Sequence, residues 1–308
     1  MEYLIIDAHA HLWEELKGSV AGKKVQSLGG GKAHFMGETK QMMPPYMVDG
    51  KNSVETLISN MDYARVAAAV ITQEYIDGNQ NQYVLESKQK FLGRLFVCGL
   101  AEVRKEGFIT EIENMIEQGF DGIKIPAQWL TSLPERVFLT NKEMMSSFKL
   151  MEENNVILSI DLAPGDEQVP EMKEVIQEHP NLKIAIGHFG MANRPHWKKQ
   201  IKLAENKNVR IESGGITWLF HNEFYPYPGA IKAIKEAIDL VGVDKLMWGS
   251  DYPRTMTAIT YTMSHDFVLK TKELTLYEKK QFLGENAREF YGFTNLRPLE
   301  YVKNMVED

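Results

Sequence analysis

The stretch Met1–Trp13, MEYLIIDAHAHLW, decides how the rest of the chain is read. Tyr3–Ala8 is a short apolar run with Asp7 near its end and no helical spacing, which predicts a buried strand. His9 and His11 come next. Side chains two apart on an extended chain point to one face, so His-Ala-His at the strand's carboxyl end sets two imidazoles side by side. Such a pair can chelate a divalent metal. The spacing alone also allows two histidines at a loop entrance, and the rest of the chain has to decide between the two.

Working outward, Glu14–Lys51 lacks steady periodicity and carries Gly29-Gly30-Gly31 and Pro44-Pro45, which predicts a long loop. Its place directly after the histidines suits a lid. The triple glycine has no following Lys-Ser/Thr, so a phosphate-binding loop is not indicated. Asn52-Ser53 with Glu55 opens a helix bearing Val54, Leu57, Ile58 and Met61 at helical spacing. Strand-like runs then recur at Arg65–Thr72, Leu95–Leu100, Gly122–Ile125, Val156–Ile160, Leu182–Gly187, Val209–Ser213 and Lys245–Gly249. Amphipathic stretches separate many of them, among them Phe108–Gln118, Asn141–Asn154, Pro170–His179, Trp197–Asn206 and Pro228–Val241. Eight apolar strands alternating with helices predict an α/β fold with a parallel sheet, closed as a (β/α)8 TIM barrel or open and doubly wound.

The 308 residues suffice for one such barrel, and 44% hydrophobic with 25% charged residues is an ordinary globular composition. A net charge of -7 without a basic cluster argues against a nucleic-acid partner. The single cysteine, Cys98, sits in an apolar run and offers neither a disulfide framework nor a thiolate metal site. No signal peptide or membrane-spanning run is evident, so a cytoplasmic protein is expected.

Polar residues gather where the strands end: His9 and His11, Gln73, Lys124, Asp161, His188 and Asp251. A barrel interior accepts such groups only near its mouth, where water or a metal can satisfy them. Asp251, in LMWGSDYPR, can bind a metal or take the proton of a metal-bound water; the plainer reading is a cap on the following turn. His188, in IAIGHFG, is a further ligand, an acid/base or a structural histidine.

With HxH after the first strand, IAIGHFG, MWGSDYPR and a closing GENAREFYGF, the chain resembles the amidohydrolase superfamily. The likeness is greatest to the amidohydrolase-related (amidohydrolase 2) branch of lactonases and non-oxidative decarboxylases. It covers about residues 1–293, leaving 294–308 as a tail. It implies a distorted, single-domain (β/α)8 barrel, with residues 14–51 as an insertion or lid. It further implies His9, His11 and Asp251 as metal ligands, with His188 as ligand or acid/base and Asp251 as proton acceptor. The implied cofactor is one divalent metal, Zn2+ first and Mn2+ second, although some relatives work without metal. Gln73 lies in VITQEYIDGNQNQYVLE, which is similar to the segment after the lactonases' second strand. Where decarboxylase-type members carry a fifth-strand histidine, this chain has Asp161.

The function expected is metal-dependent hydrolysis of a lactone or cyclic ester. Lys124 and Arg254 would hold anionic groups, and Gln73, Asp161, Trp218, His221 and Tyr252 complete the substrate-binding set. The alternatives are decarboxylation of an aromatic or enoic acid and a non-catalytic ligand-binding barrel. The partner expected is a small anionic or polyhydroxylated molecule, with no nucleic acid or membrane, and the branch also implies self-association.

Overall fold

All eight apolar runs form strands, and every neighbouring pair in the main sheet runs parallel. The computed structural model describes residues 3–127 and 132–307, so the expected outer limits at residues 1 and 308 lie outside the described residues. Strand β1 (Ile6–His11) is followed by five short strands: β2 (Ser19–Val20), β3 (Lys23–Lys24), β4 (Gln26–Gly29), β5 (Lys32–Phe35) and β6 (Glu38–Gln41). The remaining barrel strands are β7 (Ala68–Thr72), β8 (Leu95–Leu100), β9 (Gly122–Ile125), β10 (Ile157–Ile160), β11 (Ile184–Ile186), β12 (Val209–Glu212) and β13 (Leu246–Met247). Their order is β1-β7-β8-β9-β10-β11-β12-β13, each beside the next in sequence. The circle closes where Ala8 N donates to Trp248 O at 2.9 Å, Asp251 N to His9 O at 2.9 Å and His11 N to Tyr252 O at 2.8 Å. This is the TIM barrel rather than the open sheet.

Helices α1 (Val54–Ala64), α2 (Asn81–Lys90), α3 (Phe108–Glu117), α4 (Lys142–Glu153), α5 (Val169–Glu178), α6 (Lys198–Ile201), α7 (Ile216–Leu219) and α8 (Pro228–Val241) fall between successive barrel strands. Helices α9 (Met263–Lys270), α10 (Leu276–Lys280) and α11 (Asn286–Tyr291) follow β13. Helix α1 starts where Ser53 accepts from Thr56 N, ends at Arg65 in a left-handed conformation, and buries Val54, Leu57, Ile58 and Met61, as the sequence spacing requires. A separate apolar cluster fills the barrel itself: Ile6, Ala8, Val70, Cys98, Ile157, Ala185 and Met247, with Phe290 and Tyr291 of α11 packed against it.

That interior set holds the reason the histidines face inward. Ile6 and Ala8 are interior residues, so strict alternation along β1 would turn His9 and His11 outward. The pairing with β7 shifts between Asp7 and Ala10, where Ala8 and His9 stand opposite the one residue between Ala69 and Ile71. A bulge of this kind inserts one residue and changes the phase of the strand. The inward set passes from even to odd numbers, and both imidazoles enter the mouth.

The segment 14–51 differs from the long loop expected. Ser19–Val20 pairs with Lys23–Lys24, and β4, β5 and β6 form an antiparallel three-stranded sheet. The glycines are its turn: Gly29, Gly30 and Gly31 all have positive φ, and a Cβ at Gly31 would lie 2.3 Å from Met43 O. Strands of two to four residues rich in lysine carry too little apolar alternation to be read from sequence. Beyond Phe293 the described tail has no helix or strand. Among the described residues, no helix is long and apolar enough to cross a membrane.

Candidate active site

The strand ends bring His9, His11 and Asp251 together. His9 Nε2 and His11 Nε2 are 3.2 Å apart, His11 Nε2 is 3.0 Å from Asp251 Oδ1, and His9 Nε2 is 4.0 Å from the same oxygen. A triangle with these sides has a centre about 2.0 Å from each corner, the length of a Zn–N or Zn–O bond. These three donors therefore fit one divalent ion, and two imidazoles with a carboxylate are a donor set for such a metal.

The far side of the His9 imidazole is held as metal-binding histidines usually are. His9 Nδ1 donates to Glu212 Oε1 at 2.7 Å, which leaves Nε2 with its lone pair towards the centre. His11 Nδ1 lies 3.5 Å from Asp77 Oδ2, too far for a hydrogen bond, and both atoms are buried without a partner. Glu212 also accepts from His188 N at 3.2 Å and from Gly214 N, so one buried carboxylate ties β1, β12 and the segment after β11. The glycines at these strand ends make the room: a Cβ at Gly249 would lie 2.7 Å from Glu212 Oε2 and 2.8 Å from His9 Cβ. Asp7 performs a similar task outside the barrel. Its carboxylate accepts from His9 N, Ser250 N, Ser250 Oγ and Tyr261 Oη, joining β1 to the turn that carries Asp251.

Asp251 and His188 both adopt left-handed backbone, with φ of 59° and 57°. Such conformations cost about 1–3 kcal/mol each at residues other than glycine and persist where surroundings impose them. The other Asp251 oxygen accepts from Trp218 Nε1 at 2.9 Å. His188 Nδ1 donates to Gly214 O at 2.9 Å, so its Nε2 is the free nitrogen, 3.7 Å from Asp161 Oδ2. Two further groups could hold an ion, His9 with Glu74 and His188, and His9 with Asp161 and Glu212.

Charge in the mouth is sorted by partners. Burial would raise Asp251, but the hydrogen bond from His11 and the nearby His11, Arg254 and His188 charges hold it below the usual carboxylate range. Asp161 is likewise lowered against burial, chiefly by Lys124 at 2.6 Å. Glu74 goes the other way: burial and the neighbouring Asp161 push it up to about 8. Burial, with Arg254 beside it, holds His11 well below its ordinary value. His188 is raised, because Asp161, Asp251 and Glu212 outweigh its burial.

His11, Glu74, Asp161, His188, Trp218, Asp251 and Arg254 line a cavity of about 110 Å³, with Ile76, Ala127, Leu162 and Met191. Two larger grooves, about 650 and 700 Å³, share no residue with this cluster, so size alone would misplace the chemistry. Of the residues picked out from sequence, five are not in the cavity lining: His9 and Lys124, which lie against the lining residues His11 and Asp161, and Gln73, Tyr252 and His221. Gln73 is fully buried and spends its amide on Cys98 O, Asn81 Oδ1 and Gln80 N; the chain turns after β7, and Glu74 faces the mouth instead. Tyr252 is buried against Tyr261. His221 is exposed, with Nδ1 on Trp218 O.

Lys124 is inside, as expected, but bonded to Asp161 and 4.0 Å from Glu74, and Arg254 pairs with Asp77 at 2.6 Å. Sequence reading missed Glu74, Asp77 and Glu212. The available signals were carboxylates directly after apolar runs, in ITQEYID and VRIESGG, the latter beside glycines that give a carboxylate space.

A sequence model described as "Amidohydrolase" matches residues 6–293. Among solved structures, one described as a probable 2-pyrone-4,6-dicarboxylic acid hydrolase from Acinetobacter baumannii, with citric acid bound, aligns at TM-score 0.68 and 21% identity. The alignment covers 94% of this chain and 99% of that one. An amidohydrolase from Burkholderia multivorans with bound Zn aligns at TM-score 0.68 and 16% identity, over 94% of this chain and 100% of its own. A 2,6-dihydroxybenzoate decarboxylase complexed with 2,6-dihydroxybenzoate aligns at TM-score 0.57 and 13% identity, over 77% of this chain and 87% of its own.

Proposed function

The chain belongs to the amidohydrolase family, and on that premise we propose that it is a metal-dependent hydrolase that opens a lactone or related cyclic ester of a sugar acid or carboxylic acid. The observation that carries this reading is the common centre, about 2.0 Å from His9 Nε2, His11 Nε2 and Asp251 Oδ1, at the wall of a buried cavity. Zn2+ suits two nitrogens and one oxygen best, with Mn2+ second, and a fold relative is described with Zn bound. A bound divalent ion would polarise the ester carbonyl and lower the pKa of water towards about 7.

The protein's own groups supply the rest. Trp218 holds one oxygen of Asp251 and leaves the other towards the centre. Asp251, kept ionised by its neighbours, accepts the proton of the attacking water. His188, with Nδ1 committed to Gly214 O, presents Nε2 to the cavity and delivers a proton to the departing alkoxide; Asp161 behind it favours the imidazolium. Glu212 fixes the His9 imidazole by a hydrogen bond, and Asp77 faces the far side of the His11 ring. The cavity's apolar wall excludes water, which strengthens each of these charge interactions.

Protein stripped with a chelator and reloaded with Zn2+ or Mn2+ is assayed on a lactone panel by pH-stat. Ring opening that appears with metal supports the reading; no turnover of any lactone in either form removes it. The second reading, non-oxidative decarboxylation, draws on the decarboxylase among the fold relatives. Against it stands Asp161, which faces Lys124 where decarboxylase-type members are expected to carry a histidine. CO2 release from hydroxybenzoates would favour it.

A further inference from the structure

Asp7 is buried, lies outside the cavity lining, and divides its two oxygens between two strand ends. Oδ1 accepts from His9 N at 3.0 Å and from Ser250 N at 2.8 Å. Oδ2 accepts from Tyr261 Oη at 2.6 Å and from Ser250 Oγ. The two oxygens therefore hold different things. Oδ1 takes two backbone N–H groups, one at the β1 bulge and one directly before Asp251, whereas Oδ2 takes two hydroxyls. Both backbone points are places where the chain leaves regular geometry: Ala8 and His9 stand opposite one residue of β7, and Asp251 has φ of 59°. The same two segments meet again where Asp251 N donates to His9 O at 2.9 Å.

A bulge disturbs the ladder and leaves backbone groups in need of another partner, and a buried N–H without an acceptor is costly. Asp7 supplies the acceptor for His9 N from two residues away, a local bond that aspartate makes readily. Regular alternation along β1 would turn His9 and His11 away from the mouth, since Ile6 and Ala8 face inward. The second bond of the same oxygen, to Ser250 N, fixes where Asp251 begins relative to His9. We infer that Asp7 is a positioning residue for the metal centre: through Oδ1 it holds the bulge that turns His9 and His11 inward and sets the distance from them to Asp251. Oδ2 anchors the carboxylate to Ser250 and Tyr261 and serves stability. The inference rests on the metal site of the proposed function and is independent of the lactone chemistry.

The test separates the two oxygens. Zn2+ affinity is measured by competition against a chromophoric chelator, and the visible bands of the Co2+-loaded protein report the geometry round the ion. Asp7→Ala takes the acceptor from both N–H groups; it should weaken Zn2+ binding roughly 10- to 100-fold and alter the Co2+ bands. Asp7→Asn can keep its oxygen on the two N–H groups and turn its NH2 to the hydroxyls, which accept as well as donate. It should bind Zn2+ within about threefold of the parent. Tyr261→Phe removes one bond to Oδ2 only, so the melting temperature should fall while Zn2+ affinity stays within about threefold. A merely structural Asp7 would leave the affinity of every folded variant alike. Should Asp7→Ala not fold, Asp7→Ser takes its place: the hydroxyl can accept from His9 N but is one bond too short to span to Ser250 N, and a loss of about tenfold or more is expected. A parent chain that holds no Zn2+ removes the metal reading and this inference together. A parent that binds Zn2+ while Asp7→Ala or Asp7→Ser binds it within about threefold, with unchanged Co2+ bands, removes the inference alone. Binding as weak as that of Asp7→Ala in Asp7→Asn or Tyr261→Phe overturns it as well.

Discussion

Replacing Glu212 by glutamine tests whether the carboxylate behind His9 sets the metal site. Both oxygens of Glu212 face donors: Oε1 receives His9 Nδ1–H and His188 N–H, and Oε2 receives Gly214 N–H. A glutamine keeps the shape but turns one of those oxygens into an NH2 group. Whichever way the amide is oriented, at least one N–H must then face another donor, and a buried unsatisfied group costs about 1–3 kcal/mol. If the NH2 meets His9, the imidazole must move its proton to Nε2 and loses the lone pair aimed at His11 and Asp251. If it meets Gly214, the imidazole keeps its tautomer but loses the negative charge that strengthens it as a donor. Loss of such a partner typically weakens metal binding 10- to 100-fold, or about 1.4–2.8 kcal/mol. Competition against a chromophoric chelator measures the Zn2+ affinity of each protein. A Glu212→Gln protein that folds and binds Zn2+ within about threefold of the unaltered chain would refute the reasoning.

Two other perturbations probe separate parts of the molecule. Trp218→Phe keeps the cavity's apolar wall but removes the 2.9 Å donor to Asp251 Oδ2; a hydrogen bond to a charged group is worth about 1.5–3 kcal/mol, so kcat/KM for a lactone substrate should fall roughly 10- to 100-fold. Steady-state kinetics checks this, and an unchanged value removes Trp218 from the account. His265 lies far from this chemistry, buried against Trp248 with Nε2 donating to Ala64 O. Burial lowers it from 6.5 to about 4. On acidification the unfolded chain therefore takes up this proton first. The contribution is full above pH 6.5 and is lost as pH falls towards 4, on the order of 3 kcal/mol. Urea unfolding of metal-free protein at pH 7.5 and 4.5 should show a smaller acid loss in His265→Gln than in the parent. Equal losses would contradict the assignment.

The barrel was readable because its strands are near-continuous apolar runs separated by helical spacing, as Arg65–Thr72 and Leu95–Leu100 illustrate. The convergence of residues 9, 11 and 251 followed from a general property, that strand ends in such a barrel share one mouth. What stayed hidden depends on local phase. The shift at Ala8 and His9 cannot be seen in a sequence whose side chains alternate formally, and the turn after Thr72 swaps Gln73 for Glu74. Glu212 and Asp77 meet His9 and Arg254 from far away in sequence, so no local spacing announces those pairings. Lys124 was read as directed inward and Arg254 as a holder of anionic groups; the structure pairs them with Asp161 and Asp77, and pairing across the barrel needs coordinates. The two small antiparallel sheets in 19–41 were missed because their strands are short, polar and joined by turns that contain glycine.

Convergence of His9, His11 and Asp251 on one ion is the claim on which the function depends. Protein stripped with a chelator, reloaded with Zn2+, desalted and subjected to elemental analysis should hold one metal per chain, and His11→Ala and Asp251→Asn should each lose it while remaining folded by circular dichroism. A parent protein that retains no metal, or variants that keep the full complement with the parent's affinity, would contradict the account.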